Sequence, residues 1–303
     1  MAAPVVVLAG GTGGAALAAG IQAVDPNRDL TVVANTADDD DFWGLRVCPD
    51  IDAVIYRLAG IFNEATGYGI KDDTFRVLDG LSHAGEDTWF QVGDRDFATH
   101  LVRTELLARH CTLTETSLEL CRRLSVNARV IPMSDQVVRT RFTTDLGELS
   151  FQEYFVRERL KPTLRGIAFA GIHEARRTAE VETALDEAEH VIIGPSNPLI
   201  SIAPILELLG DALPRDRTVA VTPIVGGVAL KGPTVEMMRA LGHEPSPLEV
   251  ARMYRGVAGG FVLDQRDSAL APAIEALGYR VIVCDTVMRD GGRILARAVL
   301  GDV

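Results

Sequence analysis

The chain of 303 residues is 47% hydrophobic and 24% charged, enough apolar side chain for a large core in one or two domains, and too much for a disordered chain. Its net charge of −12 argues against a nucleic-acid binder, which needs a basic face. The longest uncharged runs, Val191–Leu206 and Thr218–Leu230, are broken by prolines or too short for a membrane span of about 20 residues.

Residues 4–9 form a short, continuous apolar run rich in β-branched side chains, which reads as a buried strand. Gly10–Gly14 is a loop, the Ala-rich stretch Ala15–Val24 a helix, and Leu30–Ala34 a second strand. This order opens a doubly wound α/β fold. No Lys or Arg precedes Arg28, so the apolar start lacks the basic segment of a secretory leader, and a cytoplasmic protein is expected. The four cysteines are scattered with no CxxC pair, which suggests neither a disulfide framework nor a zinc site.

Residues 52–125 hold few strand-like runs. Asp52–Leu58, Phe75–Leu81, Phe97–Arg109 and Glu115–Leu124 show helical spacing, predicting a mostly helical subdomain over 52–125 set into an α/β core of 1–51 and 126–303. Strand signals return at Ala128–Ile131, and Val137–Thr144 with Glu148–Val156 reads as a hairpin around Asp145-Leu146-Gly147. From Gly166 strands and helices alternate to the end, with strands at Gly166–Ala170, His190–Ile193, Val219–Val221, Phe261–Leu263 and Arg280–Val283. One sheet, mostly parallel, is expected to gather them.

The chemistry concentrates where strands end. Gly10, Gly11, Thr12, Gly13 and Gly14 sit between a strand and a helix, where bare N–H groups and the helix end favour a phosphate. The spacing is not that of a dinucleotide site, and no ribose-binding acid follows the second strand. Instead that strand runs into Asn35-Thr36 and then Asp38, Asp39, Asp40 and Asp41, with Asp50 and Asp52 close behind. Such a cluster suits Mg²⁺, which takes one or two carboxylates plus substrate phosphates, although a solvated acidic loop or a helix cap at Asp50 has the same appearance. Arg95 and His100 flank a helix start, for which Asp96 is a candidate cap, and both can reach a phosphate. Ser134-Asp135 ends a strand, and Asp135 suits either a pair of ligand N–H groups or a turn. Ser196-Asn197 lies between two prolines, and Lys231 follows a glycine-rich turn. Neither a GxSxG elbow nor a GxxxxGK[ST] loop occurs, which argues against an α/β hydrolase and a P-loop kinase.

Taken in order, GGTGG (10–14), NTADD (35–39), CPDID (48–52), DDTF (72–75), WFQVGDRDFATH (89–100), PMSD (132–135), FQEYFVR (151–157), IIGPSNPLISI (192–202), TPIVGG (222–227) and KGP (231–233) resemble the 2-phospho-L-lactate transferase family of coenzyme F-420 biosynthesis, nearly end to end. The resemblance implies a Rossmann-like fold and a Mg²⁺-dependent cytoplasmic homodimer. The implied reaction moves 2-phospholactate, phosphoenolpyruvate or 3-phosphoglycerate from a guanosine diphosphate-linked donor to the ribityl hydroxyl of the deazaflavin Fo, with release of GMP. It also implies roles for residues. The glycine loop, Ser134, Asp135, Ser196, Asn197 and Lys231 would hold the nucleotide. Asp38, Asp39 and Asp50 would hold Mg²⁺, and Asp38, Asp50 and Asp52 would be the catalytic carboxylates. Asp52, Gln91, Arg95 and His100 would contact the deazaflavin, with Trp89 and Phe90 near its ring. Three features depart from the family pattern: Ala15-Ala16 where a basic residue is common, the extra Asp40-Asp41, and Cys48 in place of serine. The rival reading, a non-catalytic nucleotide-sugar-binding regulator of the gluconeogenesis-factor type, should lack both the aspartate pair and the GDRDxATH stretch, and both are present.

Overall fold

A computed structural model describes residues 3–230 and 232–301. Seven parallel strands form its central sheet: β1 (Val5–Ala9), β2 (Leu30–Ala34), β3 (Arg129–Pro132), β4 (His190–Ile193), β5 (Thr218–Val221), β6 (Gly260–Asp264) and β7 (Arg280–Cys284). Their spatial order is β7-β6-β5-β4-β1-β2-β3. The chain therefore winds outward from β1 in one direction and returns to wind outward from β4 in the other. β1 pairs with both, matching Val5 to Leu30 of β2 and to His190 of β4. The reversal leaves a crevice at the carboxyl ends of β1 and β4, where open α/β sheets bind ligands. The fold is Rossmann-like, as expected from the sequence.

Alternation along each strand divides the core. Val5, Val7, Ala9, Val32 and Val130 face one helical layer, formed by α1 (Gly11–Val24), α2 (Pro49–Leu58), the buried side of α5 (Leu113–Arg123) and the last helix, Arg293–Leu300. Val6, Leu8, Val33, Ile131, Val191 and Ile193 face the other, which includes Val181, Ile205 and Val250. Both faces of β1 are buried, which is why it reads as an unbroken apolar run.

Several expectations of the sequence are modified. Gly11–Gly14, read as loop, is the first turn of α1. Glu148–Val156, read as the second strand of a hairpin, is strand only as far as Ser150, and the chain is helical over 151–157. Gly166–Ala170 belongs to Leu164–Ala170, which does not join the parallel sheet. It pairs antiparallel with Arg139–Thr144, which pairs in turn with Gly147–Ser150, making a separate three-stranded sheet over its own small core of Phe142, Tyr154, Leu164, Ile200 and Met237. The helical insertion is also narrower than 52–125. Helix α2 crosses the 51/52 boundary and packs along α1 through Ile51, Val54, Ile55 and Leu58, while α5 packs on β3. Between them lie α3 (Arg76–His83) and α4 (Asp94–Ala108). Among the described residues no helix is long and apolar enough to cross a membrane.

Candidate active site

At the crevice between β1 and β4 the chain encloses a cavity of about 770 Å³. One wall is the start of α1. The helix begins at Gly11, directly after β1, with Gly10 as its cap and no acidic side chain in its first turn. A Cβ on Gly13 would lie 2.0 Å from the Pro195 carbonyl oxygen, so only glycine lets α1 approach the loop after β4 this closely. The Gly10 N–H donates to Ser196 Oγ at 3.2 Å, tying the two loops together. Gly10–Gly13, Ser196 and Asn197 all line the cavity. The Asn197 side-chain oxygen accepts from Leu199 N at 2.9 Å, capping the turn that follows.

Beside this helix end, Asn35 brings two carboxylates together. Its Oδ1 accepts from Ala37 N at 2.9 Å, which fixes the amide so that Nδ2 points the other way. That nitrogen donates to Asp38 Oδ2 at 3.1 Å and to Asp50 Oδ2 at 2.9 Å. Thr140 Oγ1 donates to the second oxygen of Asp38 at 2.7 Å. Both carboxylates are buried. Burial, with the neighbouring Asp50, pushes the Asp38 carboxyl well above the usual range, and burial raises Asp50 to about 6. Two carboxylates held this close in a buried site are eased by a proton or by a cation. Their oxygen donors, close to a helix end suited to phosphate, fit Mg²⁺. Asp39 does not join them. It is buried off the cavity wall, hydrogen-bonded to Cys48 in the neighbourhood of Arg139, Arg103 and Arg46, and burial raises it to about 7.

Asp52 lies one residue beyond Ile51 on α2 and is differently occupied. Arg103, fully buried on α4, donates from both terminal nitrogens to the two Asp52 oxygens. A carboxylate neutralised in this way is a poor base and a poor metal ligand, so the geometry makes it a support. His100 completes the cluster. Its Nδ1 is 3.2 Å from Arg103 Nη1, and its Nε2 is 3.4 Å from Asp96 Oδ1. Tyr56 donates to the same Asp96 oxygen at 2.6 Å. Burial lowers His100 to about 4, leaving a neutral ring, while burial and then the Asp52 charge raise Asp96 to about 7. Asp96 is not the cap of α4, as the sequence suggested; Gly93 is.

The remaining expected residues divide. Gln91 and Phe90 line the cavity, and Phe90 is stacked on Phe42 with ring centroids 3.9 Å apart, backed edge-on by Trp89. Arg95 does not line it: its N–H is held by Asp73 and its guanidinium by the Lys71 carbonyl. Ser134 and Asp135 are off the wall too. Ser134 Oγ donates to the Arg176 carbonyl, and Asp135 accepts from Thr114 N and Oγ1, capping α5 from outside. Lys231 lies outside the described residues. The sequence reading missed Arg57, Tyr56, the 64–69 loop, Phe151, Phe155 and Met288, all on the cavity wall. Only Phe151 and Phe155 left a trace, inside the FQEYFVR stretch.

Fold and cavity together define a class, a Rossmann-like α/β protein that sets paired carboxylates against a helix end at its carboxyl edge. A family model described as 2-phospho-L-lactate transferase CofD matches residues 5–294, and the chain belongs to that family of transferases. It is 37% identical to the 2-phospho-L-lactate transferase of Methanosarcina acetivorans, covering 98% of each chain. It is 38% identical to the phosphoenolpyruvate transferase of Streptomyces griseus, covering 94% of this chain and 93% of that one. A crystal structure of an upf0052 family member from Bacillus halodurans shares the fold, with a TM-score of 0.64 at 15% identity over 99% of both chains.

Proposed function

We propose that this protein transfers a phosphorylated three-carbon acid from a guanosine diphosphate-linked donor to the ribityl hydroxyl of the deazaflavin Fo. The hydroxyl oxygen bonds to the phosphorus that carries the acid. The bond from that phosphorus to the bridging oxygen breaks, and GMP leaves with that oxygen. The products are a phosphodiester, GMP and one proton. The observation that carries this reading is the Asp38–Asn35–Asp50 arrangement facing the first turn of α1 in one cavity.

Each part of the cavity matches a part of the reaction. The N–H groups of Gly11–Gly13 and the Ser196 hydroxyl suit the diphosphate. Asp38 and Asp50 would hold Mg²⁺, which when bound supplies positive charge to offset the negative charge on phosphate and leaving group. Asn35 and Thr140 keep those two carboxylates aimed. Arg103 fixes Asp52, which stiffens the wall between the carboxylate pair and His100. Phe90, Phe151 and Phe155 give a planar ring apolar surface. The relatives' names, 2-phospho-L-lactate transferase and phosphoenolpyruvate transferase, support a three-carbon acid as the transferred group. The test is to mix the protein with Fo, Mg²⁺ and each of the three guanylated donors, following GMP and product mass. One donor is expected to turn over clearly fastest. Binding of donor with no GMP from any of them would favour the regulator reading instead.

A further inference from the structure

The charged side chains on the cavity wall are mainly acidic, with Asp38, Asp50, Asp52, Asp96 and Glu64 all lining it; among the described residues, Arg57 is its one arginine or lysine. Arg57 follows Asp50 by seven residues on α2, about two turns or roughly 10 Å along the axis. Its guanidinium is turned toward the segment that follows α2, against Phe62 and Glu64, and lines the same cavity as Asp50.

The two sides of this guanidinium differ. From behind it rests on an aromatic ring, with its Cζ 4.4 Å from the centroid of Phe62. In front it meets Glu64, with Nη1–Oε1 at 2.7 Å and Nη2–Oε2 at 2.9 Å. Arg57 is 13% exposed at its side chain, and Glu64 is 63% exposed. Arg57 Nε is buried with no partner, so the cation is not fully satisfied. Glu64 sits on a loop closed by hydrogen bonds from Asn63 N to the Gly69 carbonyl and from Gly67 N to the Asn63 carbonyl, and residues 64–69 all line the cavity. A fixed cation thus faces a solvated, replaceable carboxylate. An incoming carboxylate can take the place of Glu64 without changing the charge balance, and the planar fork of arginine suits it.

We propose that Arg57 receives the carboxylate of the transferred three-carbon acid, displacing Glu64, and so recognises the donor's acid end. This rests on the transferase reading above. The acid's carboxylate is only a few bonds from the phosphorus under attack, and Arg57 lines the same cavity as Asp38, Asp50 and the first turn of α1.

The test uses the full chain with Mg²⁺ and without Fo. Calorimetry compares the guanosine diphosphate-linked phospholactate donor with the β-ethyl ester of GDP, which keeps the diphosphate and lacks the carboxylate. The unmodified protein is expected to prefer the donor about tenfold or more, the size of a charge-assisted pair. Arg57→Gln is expected to erase that preference and leave ester affinity unchanged. Glu64→Gln is expected to tighten the donor several-fold and leave the ester unchanged, because a competitor has gone. Equal weakening of both ligands in Arg57→Gln, no effect on either, or weaker donor binding in Glu64→Gln would overturn the proposal. GMP release with Fo is measured separately. Its absence counts against the transferase reading, while a carboxylate preference lost in Arg57→Gln would still support this role for Arg57.

Discussion

Arg103 shows how much of the site depends on a residue that touches no cavity wall. Its fully buried guanidinium neutralises Asp52 and meets His100. Arg103→Met strands Asp52 as an unpaired buried charge, and urea unfolding is expected to find a loss of about 3–5 kcal/mol. Adding Asp52→Asn should recover part of that loss. Asp96 gives a pH test. Its carboxyl is raised to about 7, against an ordinary value near 4, so between those pH values the folded protein holds a proton that the unfolded chain has released. Stability is therefore present below about pH 4 and is lost as pH rises through about 7. A plot of unfolding free energy against pH is expected to fall over that window, and to fall less steeply in Asp96→Asn, where the raised carboxyls of Asp38, Asp39 and Asp50 remain. The acidic run made Asp38 and Asp50 legible in the sequence. The roles of Arg103 and Arg57 were not, because a lone arginine on a helix reads as solvent-facing until its partner is known, and the partner of Arg103 is 51 residues away.

At the scale of elements, the order of the opening β1-α1-β2 unit was legible, but the start of α1 at Gly11 was not, because glycines read as loop rather than as the first turn of a helix. The close contact of α1 with the β4 loop was not legible either. Gly13→Ala is expected to push that loop away, weaken GDP binding at least tenfold and lower the unfolding temperature, because the added Cβ would meet a backbone carbonyl rather than a movable side chain. The hairpin of the antiparallel sheet was read around Asp145-Leu146-Gly147, but its third strand was assigned to the parallel sheet, for a different reason. Leu164–Ala170 alternates buried and exposed positions only loosely, and its pairing with Arg139–Thr144 depends on long-range register that local spacing does not encode. The helix α2 boundary was misread because its acidic first turn looked like loop chemistry, while its apolar face, which binds it to α1, comes later in the sequence.

Across the whole molecule, net charge and site charge point the same way. The protein carries −12, and four of its buried carboxylates, Asp38, Asp50, Asp52 and Asp96, line one crevice. Saturating Mg²⁺ is expected to raise thermal stability, by roughly 2.7 kcal/mol at a hundred times its dissociation constant, and to do so far less in Asp50→Asn. Without Mg²⁺, Asp50→Asn is expected to melt higher than the unmodified protein, because one of two repelling charges is gone, and to turn over at least a hundredfold more slowly. In the proposed reaction the deazaflavin hydroxyl attacks the phosphorus bearing the three-carbon acid. The most direct measurement is a reaction with Fo labelled with ¹⁸O at its terminal ribityl hydroxyl, followed by mass spectrometry of both products. The label is expected in the phosphodiester that joins acid and deazaflavin, with GMP unlabelled. Label in a guanosine-containing product, or no label transfer with any of the three donors, would contradict it.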